Sequence, residues 1–269
     1  MTNNGEEVFL CFLEGLAMSQ SNNFHAIKRP LVLVTNSTQI LAIEMIKQFI
    51  TMGFDLVLTD KSESLFDLKK NLSCEGTSIE AFQLNLKEKT DRIRFEENLV
   101  HLNRPIDILL LNGTDNIEGP FLDSPFDEEE KFITENLLEL LFVLKKILPA
   151  MYERNHGKIF FPASLGPCHG APFEAVTGAT RSFVLSFMTG LRTELKETRI
   201  TLTTLLPSLE QHFSFNSHKN FHDPVWLASE CFEAIMSSRQ SVFEGNLTHK
   251  MENFFRHSLF DKVFQLIMS

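Results

Sequence analysis

GKIFFPASLGPCHGAPFEAVTGATRSFVLSFMTGLRTEL, residues 157–195, decides the fold. KIFF is a short apolar strand, and Pro162 at its end removes one ladder donor. The Gly/Pro-rich stretch that follows is a loop. From about Phe173 the period changes: Phe183, Phe187, Leu191 and Leu195 recur at a spacing of four, which predicts a long helix. Strand, loop and helix in that order make the unit of a parallel sheet. In open α/β sheets the chemistry gathers where the strands end and the helices begin.

The same unit repeats on both sides of this stretch. LVLVT (31–35) is a continuous apolar, β-branched run, as expected of a strand buried on both faces. Ile40, Leu41, Ile43, Ile46 and Ile50 then fall at helical spacing, stopping at Met52-Gly53. DLVLTD (55–60), residues 79–86 and IDILLLNG (106–113) are further strands, with helices over SESLFDLKKNL and 88–102. Ser124-Pro125-Phe126-Asp127 opens one long helix to about Arg154, with Ser124 as N-cap and Pro125 in the first helical position. Its expected stripe is Ile133, Leu137, Leu140, Leu141, Leu144 and Leu148. RITLTTLLP (199–207), a helix opened by Asp223-Pro224 and the short strand SVFEG complete the pattern. Repeated β-α units with right-handed crossovers give an α/β, Rossmann-like, doubly wound and mostly parallel sheet. The expected organisation is an N-terminal extension (1–28), one Rossmann domain (29–245) and an amphipathic C-terminal helical segment (246–269).

The chain has 269 residues, 43% of them hydrophobic, which supplies a full core for one large domain. The net charge is −10, and no Lys/Arg run is dense enough to follow phosphates, so nucleic acid is excluded as a partner. Cys11, Cys74, Cys168 and Cys231 form no C-x-x-C pair, which argues for free thiols rather than zinc. No apolar run reaches the ~18 residues of a membrane span. The first residues carry Glu6 and Glu7 where a secretory leader is positive. These features together imply a cytoplasmic protein. The segment 246–269, with Phe254, Phe255, Phe260 and Phe264, is expected to pack on the body; contact with a partner or a membrane surface is the sharper alternative.

Four landmarks resemble the short-chain dehydrogenases/reductases. DILLLNG is similar to that family's D-I-L-V-N-N-A-G strand, and ENLLELLFVLKKILPAM to its V-N-L-x-G-x-F…L-P-x-M helix. GKIFFPAS is similar to G-x-I-V-x-x-S-S, and TGATRSFVLSFMTGLRTEL follows Y-x-A-S-K-A-A-L…L-R-x-E-L. The resemblance covers about residues 30–245. It implies a catalytic set at Asn136, Ser164, Thr177 and Arg181, with Thr177 and Arg181 standing where the family has Tyr and Lys. It implies NAD(P) as cofactor, held at Thr35, Asn36, Ile40, Asp60 and Asn112. It also implies a homo- or hetero-oligomer formed through the two long helices, 125–153 and 173–196, with Phe183 and Phe187 as candidates for the seam.

The departures bear on chemistry. Hydride transfer to a carbonyl needs a proton donor at the oxygen. A phenol near a cation can donate it close to neutrality, whereas a threonine hydroxyl is a far weaker acid and shorter. Arg181 keeps a charge but presents a planar fork instead of an ammonium. Tyr152, the single tyrosine, ends the preceding helix and is not placed to substitute. The plain structural reading of Thr177 and Arg181 is a polar pair on a helix surface. In TNSTQILA (35–42) the family's three glycines are Asn36, Ile40 and Ala42, and Ile40 is expected to fill the space where backbone approaches pyrophosphate. Asp60 ends its strand where an acid reads the adenosine ribose; a turn residue is the plain alternative, and Lys61 beside it blurs the NAD preference. His169, Cys168 and Glu174 follow Ser164 in a region that lines the family's substrate cleft.

Loss of the Tyr, the Lys and the loop glycines together points to a catalytically impaired or inactive member, a pseudoenzyme acting by binding or protein contacts. The alternative is an NAD(P)-dependent oxidoreductase of carbonyl or alcohol substrates with a remodelled site. There Arg181, His169 or water would supply the proton. A distinct activity on the same fold is the third reading, since fold does not fix function.

Overall fold

The computed structural model describes residues 29–73, 76–113, 116–162, 173–206 and 223–243. Seven parallel strands form one sheet: β1 (Leu31–Thr35), β2 (Asp55–Asp60), β3 (Ile79–Gln83), β4 (Ile108–Leu111), β5 (Gly157–Pro162), β6 (Ile200–Leu206) and β7 (Ser241–Phe243). Their order is β3-β2-β1-β4-β5-β6-β7. The order reverses between β1 and β4, the position at which doubly wound sheets open a crevice. Thr35 there lies in register with Leu111.

Alternation along buried strands divides the core in two. Val32, Val34, Leu56, Leu58 and Phe160 face α1 (Ile40–Thr51), α2 (Ser64–Leu72) and α7 (Pro224–Met236). Leu31, Leu33, Val57, Leu109 and Ile159 face α3 (Lys89–Leu102), α5 (Glu139–Glu153) and α6 (Ala175–Glu194). Phe49 of α1 meets Phe232 of α7 edge to face, with centroids 5.0 Å apart. Asp223 caps α7 by accepting the Val225 amide, as its Asp-Pro opening predicts.

The long helix departs from expectation in three ways. It starts at Phe126, with α4 (Phe126–Ile133) opened by Pro125 and no side-chain cap. The Ser124 hydroxyl bonds the Glu129 carboxylate instead. A π-helical turn, Thr134–Leu138, separates α4 from α5. Of the expected stripe, Leu140 and Leu144 are buried and Leu137, Leu141 and Leu148 pack against the core, while Ile133 is exposed and Phe132, Val143 and Ile147 join the buried face. An apolar count could not foresee that two polar residues, Glu135 and Asn136, are buried as well. The third expected strand is also shorter than 79–86, and α6 begins two residues after Phe173.

The 1–28 extension, the 246–269 segment and Ser164, Cys168 and His169 lie outside the described residues. Among the described residues, no helix is long and apolar enough to cross a membrane.

Candidate functional site

The C-terminal ends of β1, β2 and β4 bring Thr35, Asn36, Asp60 and Asn112 together, with Asn136 arriving from the π turn. Each is engaged by its neighbours. Thr35 Oγ1 accepts the Asn112 amide at 3.0 Å, and Asn112 Nδ2 donates to the Thr35 carbonyl at 2.8 Å, stitching β1 to β4. Asn36 adopts φ 45°, the left-handed backbone a glycine would take freely. Its Nδ2 donates to the Asn112 carbonyl at 2.7 Å, so a side chain crosses the turn. Asp60 is buried, and both carboxylate oxygens are engaged. Oδ2 accepts the Thr38 amide (3.0 Å) and hydroxyl (2.9 Å), and Oδ1 accepts the Ser62 amide (2.9 Å). These bonds make Asp60 the holder of the turns on either side of it. Ile40 opens α1 with 69% of its surface exposed.

Asn136 Nδ2 donates to the Phe132 carbonyl at 2.9 Å, the acceptor that a backbone amide takes in a regular α-helix. Its Oδ1 lies so close to Gly113 that a Cβ there would collide with it. A π turn is a frequent mark of a functional position. Here its polar side chain is folded back onto the helix itself.

Two residues that sequence reasoning missed complete this end. Glu135 and Glu139 lie four apart and line the same cavity as Thr35 and Asn112. Lys61 Nζ pairs with Glu135 at 2.6 Å. The Glu139 carboxyl is pushed up to about 7, first by burial and then by the charge of Glu135; Lys61 and Arg92 pull it the other way. The signal was present in ENLLELL, where two acids stand at helical spacing in an apolar run and Glu139 occupies the glycine position of V-N-L-x-G. The cavity itself measures about 10 Å³, room for one water.

Thr177 and Arg181 are also corrected. Both are buried, at 0% and 8% exposure, and do not form a surface pair. Thr177 Oγ1 donates to the Ile117 carbonyl at 2.8 Å and accepts the Ile117 amide at 3.3 Å. Arg181 bonds Asn116 Oδ1 and stands 4.0 Å from Glu174. The Gly119 amide donates to the Phe173 carbonyl at 2.8 Å. Together these contacts fasten the segment between β4 and α4 onto the start of α6. Tyr152 is exposed at the end of α5, by the N-terminal edge of the sheet.

The described residues do not fit a dinucleotide in the way a glycine-rich turn does. Asn36 spans the turn, Asp60 is engaged by Thr38 and Ser62, and Glu135 and Glu139 bring two acids to the adjoining cavity. Among the described residues, no group of acids, histidines and cysteines is arranged to hold a metal.

The comparisons agree with the architecture. Residues 30–215 match the short chain dehydrogenase family. An NADP-dependent 3-hydroxy acid dehydrogenase of Escherichia coli is 32% identical over 187 residues, covering 66% of this chain and 72% of the relative. A very-long-chain 3-oxoacyl-CoA reductase of Pyricularia oryzae is 28% identical over 182 residues, 66% of this chain but 55% of the relative's length. A short-chain dehydrogenase from Sphingobium yanoikuyae, solved with NADPH, superposes with a TM-score of 0.74 at 23% identity, over 89% of this chain and 95% of that one. The chain belongs to the short-chain dehydrogenase/reductase family.

Proposed function

We propose that this chain is a member of the family that works by binding or protein contacts, without the family's ordinary hydride chemistry. The carrying observation is Thr177, whose hydroxyl proton and lone pair both engage the Ile117 backbone. A proton donor must face the reacting oxygen. This one faces a peptide group, and its pKa lies far above that of a phenol. The test is nucleotide binding by the full chain, followed by calorimetry and by thermal shift with NADH and NADPH. No rise in melting temperature at millimolar nucleotide is expected, because a ligand well above its Kd must stabilise the fold it binds. Micromolar binding would sink the strong form of this reading. Thr177→Tyr with Arg181→Lys is expected to stay inactive, since a phenol at 177 displaces Ile117 before it reaches a substrate.

A second reading, an NAD(P)-dependent oxidoreductase of carbonyls or alcohols, draws support from the dehydrogenase and reductase relatives. One structural feature also favours it: a polar depression of about 430 Å³ beside Lys61, lined by Gln83, Asn85 and Arg94. Carbonyl-dependent oxidation of NADPH by the unmodified chain would establish it.

The reading includes an oligomer formed through α4–α5 and α6. Phe183 is exposed on α6 and stacks on Phe187, with centroids 6.3 Å apart. Phe183→Glu is expected to lower the sedimenting mass if that seam forms, and an unchanged mass removes it.

A further inference from the structure

The segment fastened over Thr177 carries a surface of its own. Between Glu118 and Glu130 the chain reads EGPFLDSPFDEEE. Phe121, Leu122 and Phe126 are 62%, 94% and 72% exposed, and Phe173 across the clasp is 64% exposed. Phe121 and Phe173 border one shallow hollow of about 40 Å³, together with Glu118 and Glu128. Large aromatic side chains left in water at one place mark contact surfaces, where single exposed residues would mean nothing. The rim has one sign: Glu118, Asp123, Asp127, Glu128 and Glu130 are all exposed.

This surface is also held in shape. Pro120 accepts the amides of Asp123 (2.9 Å) and Ser124 (3.2 Å), closing a turn, and Ser124 bonds Glu129. Thr177, Arg181 and the Phe173 carbonyl anchor its other side. Phe173 sits at φ 68°, a backbone state that is strained for a non-glycine residue and persists only where its surroundings impose it. A surface ordered in advance loses less entropy on binding.

We propose that the Phe121–Phe173 patch is a docking surface for a basic segment of a partner protein that carries apolar anchors. Charge complementarity selects this occupant. The acids around the aromatic centre attract lysine and arginine, and the same acids repel the anionic headgroups of a membrane surface. The anchoring residues Thr177 and Arg181 then act as positioning residues for the patch. The inference rests on the reading of the chain as a protein that works through contacts, and it names where and with what chemistry.

The experiment uses the full chain and a synthetic amphipathic helix made only of leucine and lysine, followed by fluorescence anisotropy. Polylysine of the same charge and phosphatidylserine vesicles serve as comparison probes. The Leu/Lys helix is expected to bind more tightly than polylysine and to weaken roughly tenfold in Phe121→Ser with Phe126→Ser. Glu128→Gln with Glu130→Gln is expected to weaken it less and to flatten its salt dependence. All four positions are exposed, so unchanged thermal melting separates lost binding from lost folding. Equal affinity in the aromatic variant, equal affinity for polylysine, or preference for the vesicles overturns the proposal. Carbonyl turnover with NADPH overturns the noncatalytic reading whatever the peptide does. Failure of the peptide to bind an inert chain overturns the patch alone.

Discussion

At the N-terminal end of the strands Arg104 pairs with Asp55 at 2.7 Å, and Asp107 accepts the Leu31 amide at 2.9 Å. Lys158 reaches from β5 to the end of α7, donating to the carbonyls of Ile235 (2.9 Å) and Met236 (3.1 Å) and to Ser238 (2.8 Å). At the C-terminal end Glu135 and Glu139 crowd together, with Lys61 bonded to the first. One end pairs opposite charges and caps a helix, and burial there pushes Lys158 down and Asp107 up while their hydrogen bonds hold them in place. The other gathers like charges around a cavity of one water's size, in the place where this fold class admits ligands. The difference teaches that buried charge is handled differently at the two ends of one sheet: opposite charges meet at one end, and two acids share a cavity at the other. At the ligand end Asp60 and Glu135 have partners, while the Glu139 carboxyl is pushed up by burial and by Glu135.

The largest expected effect tests how tightly that end is closed. Gly113→Ala places a methyl group on Asn136 Oδ1 and is expected to lower stability by about 3 kcal/mol in urea unfolding. An effect near zero would mean that the Asn136 contact is loose and the ligand end still open.

Lys158→Met tests the opposite end. It strips the donor from two helix-end carbonyls and is expected to cost about 2 kcal/mol at pH 7. Burial holds the Lys158 ammonium down to about 8 from 10.5. In that window the unfolded chain binds the proton that the folded chain has released, so wild type gains stability as pH rises from 8 to 10.5, an increment absent below 8 and added to the hydrogen bonds already present at pH 7. The gap between wild type and variant should therefore widen toward pH 10; a constant gap contradicts the assignment.

Glu139→Gln should act with the reverse sign. The carboxyl is raised from 4.5 to about 7, so its favourable contribution is complete below pH 4.5 and lost as pH rises through 7. The variant is expected to be more stable than wild type by about 1 kcal/mol at pH 8, with the difference shrinking at pH 5. Equal stabilities at both pH values would remove Glu139 from the comparison.

Lys61→Met is the smallest change. Lys61 is 41% exposed, so losing its bond to Glu135 should cost only about 0.5 kcal/mol. Its clearer signature is an upward move of the Glu139 titration followed by NMR, since Lys61 holds that carboxyl down.

The architecture was legible because buried parallel strands write themselves as apolar runs: LVLVT and DLVLTD are strands at the residues expected of them. Thr177 and Arg181, which the family landmarks matched to Tyr and Lys, lie one turn apart on α6. Their burial was not legible, because their partners Ile117 and Asn116 lie about 60 residues away in a loop without periodic signal. The apolar stripe of the long helix held except at Ile133, but its polar buried members were not legible. Hydrophobic counting cannot foresee that Glu135 and Asn136 turn inward while Leu138 turns out. Asp60 shows a third kind of limit: its place at the end of β2 was plain, but whether it would face a ribose or its own loop depended on Thr38 and Ser62.

The central pairing of β1 with β4 has a consequence during synthesis. Leu31 and Asp107, which it brings together, are 76 residues apart. At a translation rate of ~5–20 residues per second, β4 follows β1 from the ribosome by roughly 4–15 s. β2 can take one side of β1 early, but the other side has no strand to join in that interval. LVLVT, fully buried in the finished sheet, therefore passes its first seconds as an open edge, the state in which a nascent chain is most exposed to wrong pairing.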